Sequence, residues 1–312
     1  MKPILAVGLV VGLAVAFAAF VGTRSAGEAR AGVSPWAMAQ SMSQRRSYIA
    51  AAELGGKIYA AGGMVGETGR FLAIFQRFDP AKNSWTTLER LPHPIRAGAG
   101  AALDGKVYVI GGQTSEGASR DVWAYDIARG GWEARAPLPA PRFNVSAVAF
   151  QGKIYALGGF SESAETAGVY VYDPRADAWS RGTSLPLPNH TLGAVVFKGE
   201  IWAIGGRRGG EVLRDVWIYN PRTAAWKKGP TLPKPMELVG AAAAGDQIHA
   251  IWESTYEIYD ARTGRWHDGP RPLVTRHGLK AFAIGGRLYT VGGCTTQLHD
   301  SQVVETRRIT IR

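Results

Sequence analysis

The sequence predicts an all-β propeller of six four-stranded antiparallel blades, and three regularities predict it. Trp36, Trp85, Trp132, Trp179, Trp226 and Trp266 are separated by 49, 47, 47, 47 and 40 residues. A double glycine keeps similar time at Gly62-Gly63, Gly111-Gly112, Gly158-Gly159, Gly205-Gly206 and Gly292-Gly293. An aromatic residue stands seven positions before the tryptophan in five units, at Phe78, Tyr125, Tyr172, Tyr219 and Tyr259. A strand-like unit of this length cannot bury its apolar face alone, and arrays of such units close radially.

The first element of the chain is of another kind. After Met1, Lys2 and Pro3, the run Ile4 to Gly22 is nineteen residues without a charge, ending before Thr23 and Arg24. A basic start followed by an apolar run predicts an apolar helix within residues 1–31. It reads as a signal peptide or, being long enough to cross a bilayer, as an uncleaved transmembrane anchor. Ala29-Arg30-Ala31 offers an A-x-A-like cleavage site, although well beyond the apolar run. Either way Lys2 holds the N-terminus inside. Residues 32–312 are then expected in the periplasm or outside the cell, attached to the membrane through residues 4–22 if uncleaved. The single cysteine, Cys294, suits that compartment because it cannot mis-pair within the chain. It also excludes a disulfide framework and a multi-cysteine zinc site.

The third unit shows how each blade is built. Arg142 to Phe150 is an apolar, small-residue run consistent with a buried inner strand. Gln151-Gly152-Lys153 is a tight hairpin turn, and Ile154 to Gly159 is the second strand. Val169 to Tyr172 alternates as a third strand, Asp173-Pro174 begins a turn, and Trp179 lies on the fourth. The fixed aromatic-to-tryptophan interval across that turn predicts that the two side chains pack between neighbouring blades. The string Gly-Lys-Ile-Tyr-Ala-x-Gly-Gly, then Tyr-Asp-Pro, then Trp resembles the kelch repeat over roughly residues 36–306. That resemblance implies a kelch propeller, a fold that hosts many functions.

The last unit has inner strands and a third strand near residues 302–309 but no tryptophan after it, whereas Trp36 has no blade before it. The segment around Trp36 is therefore expected to supply the outer strand of the sixth blade and close the ring.

The formal charge is +11, and residues 1–31 hold three basic side chains against one acid, so the propeller keeps most of the surplus. A surplus of this size favours acidic partners or simply a solvated surface. No lysine/arginine block of the nucleic-acid-binding kind occurs, so no nucleic acid is expected. Propellers bind at the channel mouth, on loops held by rigid blades. Loops entering the blades place Arg46, Arg96, Arg142, His190, Glu237 and Arg276 at what reads as equivalent positions, a ring at that mouth. One reading is an anion pocket contacting a carboxylate or sulfate; the other is that the arginines bond blade carbonyls and hold the ring together.

Symmetry breaks in the fifth unit, where Trp252-Glu253 replaces the double glycine and the following loop is shortened. Trp252, Glu253 and Glu237 are expected beside the resulting notch, and Arg207 in the fourth-unit loop adds charge to the same face. No nucleophile elbow, P-loop or paired metal-ligand spacing occurs, so neither cofactor nor metal is expected.

Two functions follow as expectations for a monomeric chain. One is a non-catalytic propeller binding an acidic peptide, protein or anionic sugar. The other rests on resemblance: among exported six-bladed kelch proteins the chain is similar to the periplasmic sialic-acid mutarotases, which interconvert the anomers of N-acetylneuraminate. That resemblance implies an acid/base carboxylate, Glu237 or Glu253, and an arginine for the sugar carboxylate, Arg276 or Arg142.

Overall fold

The structure, a computed structural model, describes residues 34–295 and 299–309. The apolar segment and the cleavage site expected in residues 1–31 lie outside the described residues. Among the described residues no helix is long and apolar enough to cross a membrane. The strands there form six four-stranded antiparallel sheets, as the repeat count predicts, with short two-stranded hairpins beside three of them.

Each repeat becomes one sheet because its turns carry the residues that close them. In the first blade Ala50–Leu54 and Lys57–Ala61 meet at Gly55 and Gly56, with φ of 60° and 74°, a region glycine enters without steric cost. Phe75–Asp79 and Ser84–Thr87 complete the sheet. Lys57 Nζ lies 2.6 Å from Asp79 Oδ2, tying the first turn to the third strand. Asp79 Oδ1 also accepts the N–H groups of Ala81 and Lys82, which starts the turn to the outer strand. The same pairing recurs at Lys106–Asp126 and Lys153–Asp173. The recurrence of Gly-Lys and of the aromatic-Asp pair is thus one interaction repeated.

The tryptophans join blade to blade. Trp179 packs on Tyr172 with ring centroids 5.1 Å apart, and its Nε1 donates to Ala136 O at 2.8 Å in the segment leaving the preceding blade. Trp85, Trp132, Trp226 and Trp266 donate in the same way to Gln40, Glu89, Thr183 and Pro230 carbonyls. Trp36 completes the circuit by donating to Pro270 O at 2.7 Å. Its strand, Trp36–Ala39, pairs antiparallel with Val304–Arg308, with Trp36 opposite Arg307. Both ends of the propeller therefore lie in one sheet, as the unpaired tryptophan predicts.

Between blades five and six the core contains a titratable group. His249 is buried, its Nδ1 2.7 Å from the Tyr256 hydroxyl, and Tyr256 meets Trp36 edge-on at 5.8 Å. Burial, assisted by Arg307 and His267, pulls the imidazole from 6.5 down to about 4. Protons therefore bind the unfolded chain preferentially. The contribution of the neutral ring is complete above pH 6.5 and is lost as pH falls toward 4. The melting temperature is expected to drop across that window, and to drop less in His249→Gln. An equal drop in the variant would assign the acid sensitivity to another group.

Candidate functional site

The residues entering each blade run extended, so consecutive side chains point to opposite sides. Two registers result. Arg46, Arg142 and Arg276 stand ten residues after a tryptophan, whereas Arg96, His190 and Glu237 stand eleven after one. The expected six-membered ring mixes the two, and the structure corrects it: the two trios do not share one face.

The first trio turns into the blades. Arg46 Nη2 donates to Ala60 O at 3.2 Å and to Gln76 Oε1 at 3.1 Å. Arg142 Nη1 donates to Gly158 O at 3.0 Å and Gly168 O at 2.7 Å, with its guanidinium 4.2 Å from the Tyr170 ring. Arg276 donates to Gly292 O, Val303 O and Thr290 Oγ1, and pairs with Glu305 at 2.5 Å. Arg46 and Arg276 are both fully buried. Desolvation holds all three guanidinium groups below their ordinary pKa, Arg46 at about 9. These side chains satisfy carbonyls where strands part, so burial leaves them no share in the mouth.

Backbone bridges define the other register: Ser47 with Met64, Arg96 with Gln113, Phe143 with Phe160, His190 with Arg207, and His277 with Cys294. Each partner directly follows a double glycine, and in blades one to four the second glycine's N–H is bonded to the loop entering the next blade. Gly112 N donates to Arg142 O at 2.7 Å in this way, and Gly206 N to Met236 O at 2.8 Å. A side chain there would collide: a Cβ on Gly112 would lie 2.8 Å from Arg96 O.

This face is not symmetric. Arg207 Nη1 lies 2.8 Å from Glu237 Oε1, and His190 Nε2 lies 3.3 Å from Glu165 Oε1. Glu165 also accepts Gly209 N–H at 2.9 Å, joining the loops of blades three and four. His190, Arg207 and Glu237 are thus brought together, with Glu165 added from a loop that carries no repeat signature. Burial depresses the His190 pKa, with Glu165 and Glu237 opposing. The result is a partly buried imidazole between two carboxylates, a composition suited to proton transfer.

Arg96 differs from Arg207. Its Nε and Nη2 donate to the neutral Gln113 Oε1 at 2.9 and 2.7 Å, and its guanidinium lies 4.9 Å from the Phe71 ring. No carboxylate pairs with it among the described residues. Tyr48 stands at the channel neck, its phenol raised by burial and by Cys294, with Arg96 opposing and Glu237 and Asp300 adding to the rise. Cys294 Sγ lies 2.8 Å from His277 Nε2, and burial pushes this thiol up to about 11, which keeps it protonated at neutral pH.

In blade five Glu253 occupies the second-glycine position with φ 53°, its N–H bonded to Arg276 O at 3.0 Å. Glu253 and Ser254 form a two-residue turn between Gln247–Trp252 and Thr255–Asp260. Trp252 packs its ring on the core shared by blades four and five. A cleft of about 780 Å³ opens between the hairpins of blades one and two, lined by Phe71, His93, Glu116 and Asp121 among others. Its acids make it a poor seat for an anion. Among the described residues, no three of His, Cys, Asp or Glu converge as metal ligands.

Residues 48–251 match the family model described as the KLHDC2/KLHL20/DRC7 Kelch-repeats domain. Kelch-like protein 35 of Mus musculus is 34% identical over 86 residues, 28% of this chain and 15% of that protein. Kelch-like protein 33 of Homo sapiens is 36% identical over 77 residues, 25% of this chain and 14% of that protein. The aligned part is therefore about a seventh of the length of these curated relatives. The solved structure of YjhT superimposes with a TM-score of 0.74 at 16% identity, covering 85% of this chain and 95% of that one. At such identity the likeness shows the fold.

Proposed function

The chain belongs to the kelch-repeat family, and from that premise we propose that it is a binding propeller outside the cytoplasm that takes an acidic ligand on the face carrying Arg96. Peptide, protein and anionic sugar carboxylates share the chemistry this face offers. The observation that carries the reading is the Arg96 guanidinium, held by a neutral amide and an aromatic ring instead of a carboxylate. A ligand carboxylate would gain a charge-assisted contact there without first displacing an ion pair. Arg207, whose partner Glu237 is only partly exposed, supplies a second cation on the same face. The location outside the cytoplasm is supported by Lys2 and the uncharged run Ile4 to Gly22. Recovery of the whole protein from the cytoplasmic fraction would remove that part.

A second reading, an anomer-interconverting enzyme for an anionic sugar, is favoured by the Glu165–His190 and Arg207–Glu237 pairs. N-acetylneuraminate separates the two in one experiment. Proton NMR reads both its line broadening on binding and the exchange between its anomers. Binding without accelerated exchange supports the first reading. Acceleration that is lost in Glu237→Gln supports the second. Arg96→Ala is expected to weaken binding roughly tenfold or more, as loss of a hydrogen bond between charged groups does, with the melting temperature unchanged. Undiminished binding by that variant would put the contact elsewhere.

A further inference from the structure

Five blades begin their innermost strand with a small residue: Ala50, Ala99, Ser146, Gly193 and Gly240. The sixth begins with Lys280. The positions are equivalent by pairing, since Ala50 opposes Ala61, Ala99 opposes Ile110 and Lys280 opposes Val291, each the residue before a double glycine. Ala50 and Ala99 are buried in the cores between blades, and a Cβ on Gly193 or Gly240 would meet the innermost strand of the next blade, so Lys280 is the one long side chain at this position.

Lys280 borders an axial cavity of about 350 Å³ and also the narrower neck of about 30 Å³ that adjoins it. The neck is ringed by Tyr48, Ala97, Asn144, Thr191, Leu238 and Gly278. The side chain is partly buried, and desolvation lowers its pKa with no counter-charge or hydrogen bond opposing that fall. The other charged residue bordering the cavity is Glu53. It lies three residues further along an innermost strand, roughly 10 Å toward the opposite end. Its carboxylate is engaged there by Gly56 N–H at 2.7 Å.

An ammonium in a partly desolvated channel gains from a counter-charge beside it. The channel provides further donors. Each innermost strand pairs on one edge only, so its free edge presents backbone N–H as well as C=O groups along the channel. We propose that the channel is an anion site, in which Lys280 Nζ and inward-facing backbone N–H groups hold one small monovalent anion, either a halide or the carboxylate of a short-chain acid. This site is separate from the acidic-ligand face and stands whether or not Arg96 binds a ligand.

Bromide is the direct probe. Crystals of the wild-type chain grown in bromide are expected to show an anomalous peak beside Lys280 Nζ, absent in Lys280→Met and retained in Lys280→Arg. Adding acetate distinguishes the sources: loss of the peak shows that a carboxylate takes the seat, and persistence shows a preference for the halide. In solution the preferred anion at ten times its dissociation constant is expected to raise the melting temperature by roughly 2–3 °C. That rise disappears in Lys280→Met. A wild-type channel without anomalous density, or a peak that survives in Lys280→Met, overturns the proposal, and the wild-type map needs no variant to fold. Arg96→Ala should leave the peak intact, so failure of the face reading and failure of this one are told apart.

Discussion

Arg276→Met is expected to destabilise the propeller by about 3–5 kcal/mol, the usual cost of removing one partner from a buried ion pair. Both Arg276 and Glu305 have no exposed surface, and their 2.5 Å contact sits in the blade that closes the ring. Without the guanidinium, Glu305 keeps the Val274 N–H at 3.0 Å but loses its counter-charge. Gly292 O, Val303 O and Thr290 Oγ1 lose a donor at the same time. Denaturant titration of Arg276→Met, Glu305→Leu and the double variant checks this. The double variant should recover part of the loss, because it no longer buries a lone carboxylate. A single-variant change below about 1 kcal/mol would mean that water reaches the pair and that its burial is not what holds blade six together.

Deleting residues 34–42 is expected to cost more than any single substitution. The deletion removes the strand Trp36–Ala39, its ladder to Val304–Arg308, and the indole bond to Pro270. It also removes Met42, which is buried and whose N–H donates to Gln302 O at 2.8 Å. Loss of a buried tryptophan alone typically costs about 3–5 kcal/mol. The strand Val304–Arg308 would become an edge with unpaired backbone groups, so the shortened chain should associate with itself as concentration rises. Scanning calorimetry combined with sedimentation velocity reads both effects. A shortened chain that melts like the intact one and stays monomeric would show that the sixth blade closes without its outer strand.

The fold was legible because the recurring residues are the ones that join strands and blades. Lys57 with Asp79, and each indole with a carbonyl of the preceding blade, repeat at fixed intervals because every blade solves the same geometric problem. The face was harder to read for a reason of register. Grouping the arginines by residue type hides the difference between ten and eleven residues from the tryptophan, and in extended chain that one step moves a side chain to the other side. Arg46, Arg142 and Arg276 consequently lie inside the blades, while Arg96, His190 and Glu237 remain in the second register. Glu165 lies in a loop whose sequence does not repeat, so nothing in the pattern marks it. Lys280 did leave a trace. It stands twelve residues before Gly292, as Ala50 does before Gly62 and Gly193 before Gly205, and a charge at a small-residue position is visible in that alignment.

Pairing Trp36 with Arg307 also sets a schedule for biosynthesis. The strand Trp36–Ala39 receives its partner only after the five intervening blades have been made, a delay on the order of tens of seconds at ordinary elongation rates. Through that interval the earliest residues must wait unpaired while five blades assemble behind them. The ring can snap shut only once Val304–Arg308 has emerged, so a chain that stalls before that strand is left with five blades and an orphaned opening strand.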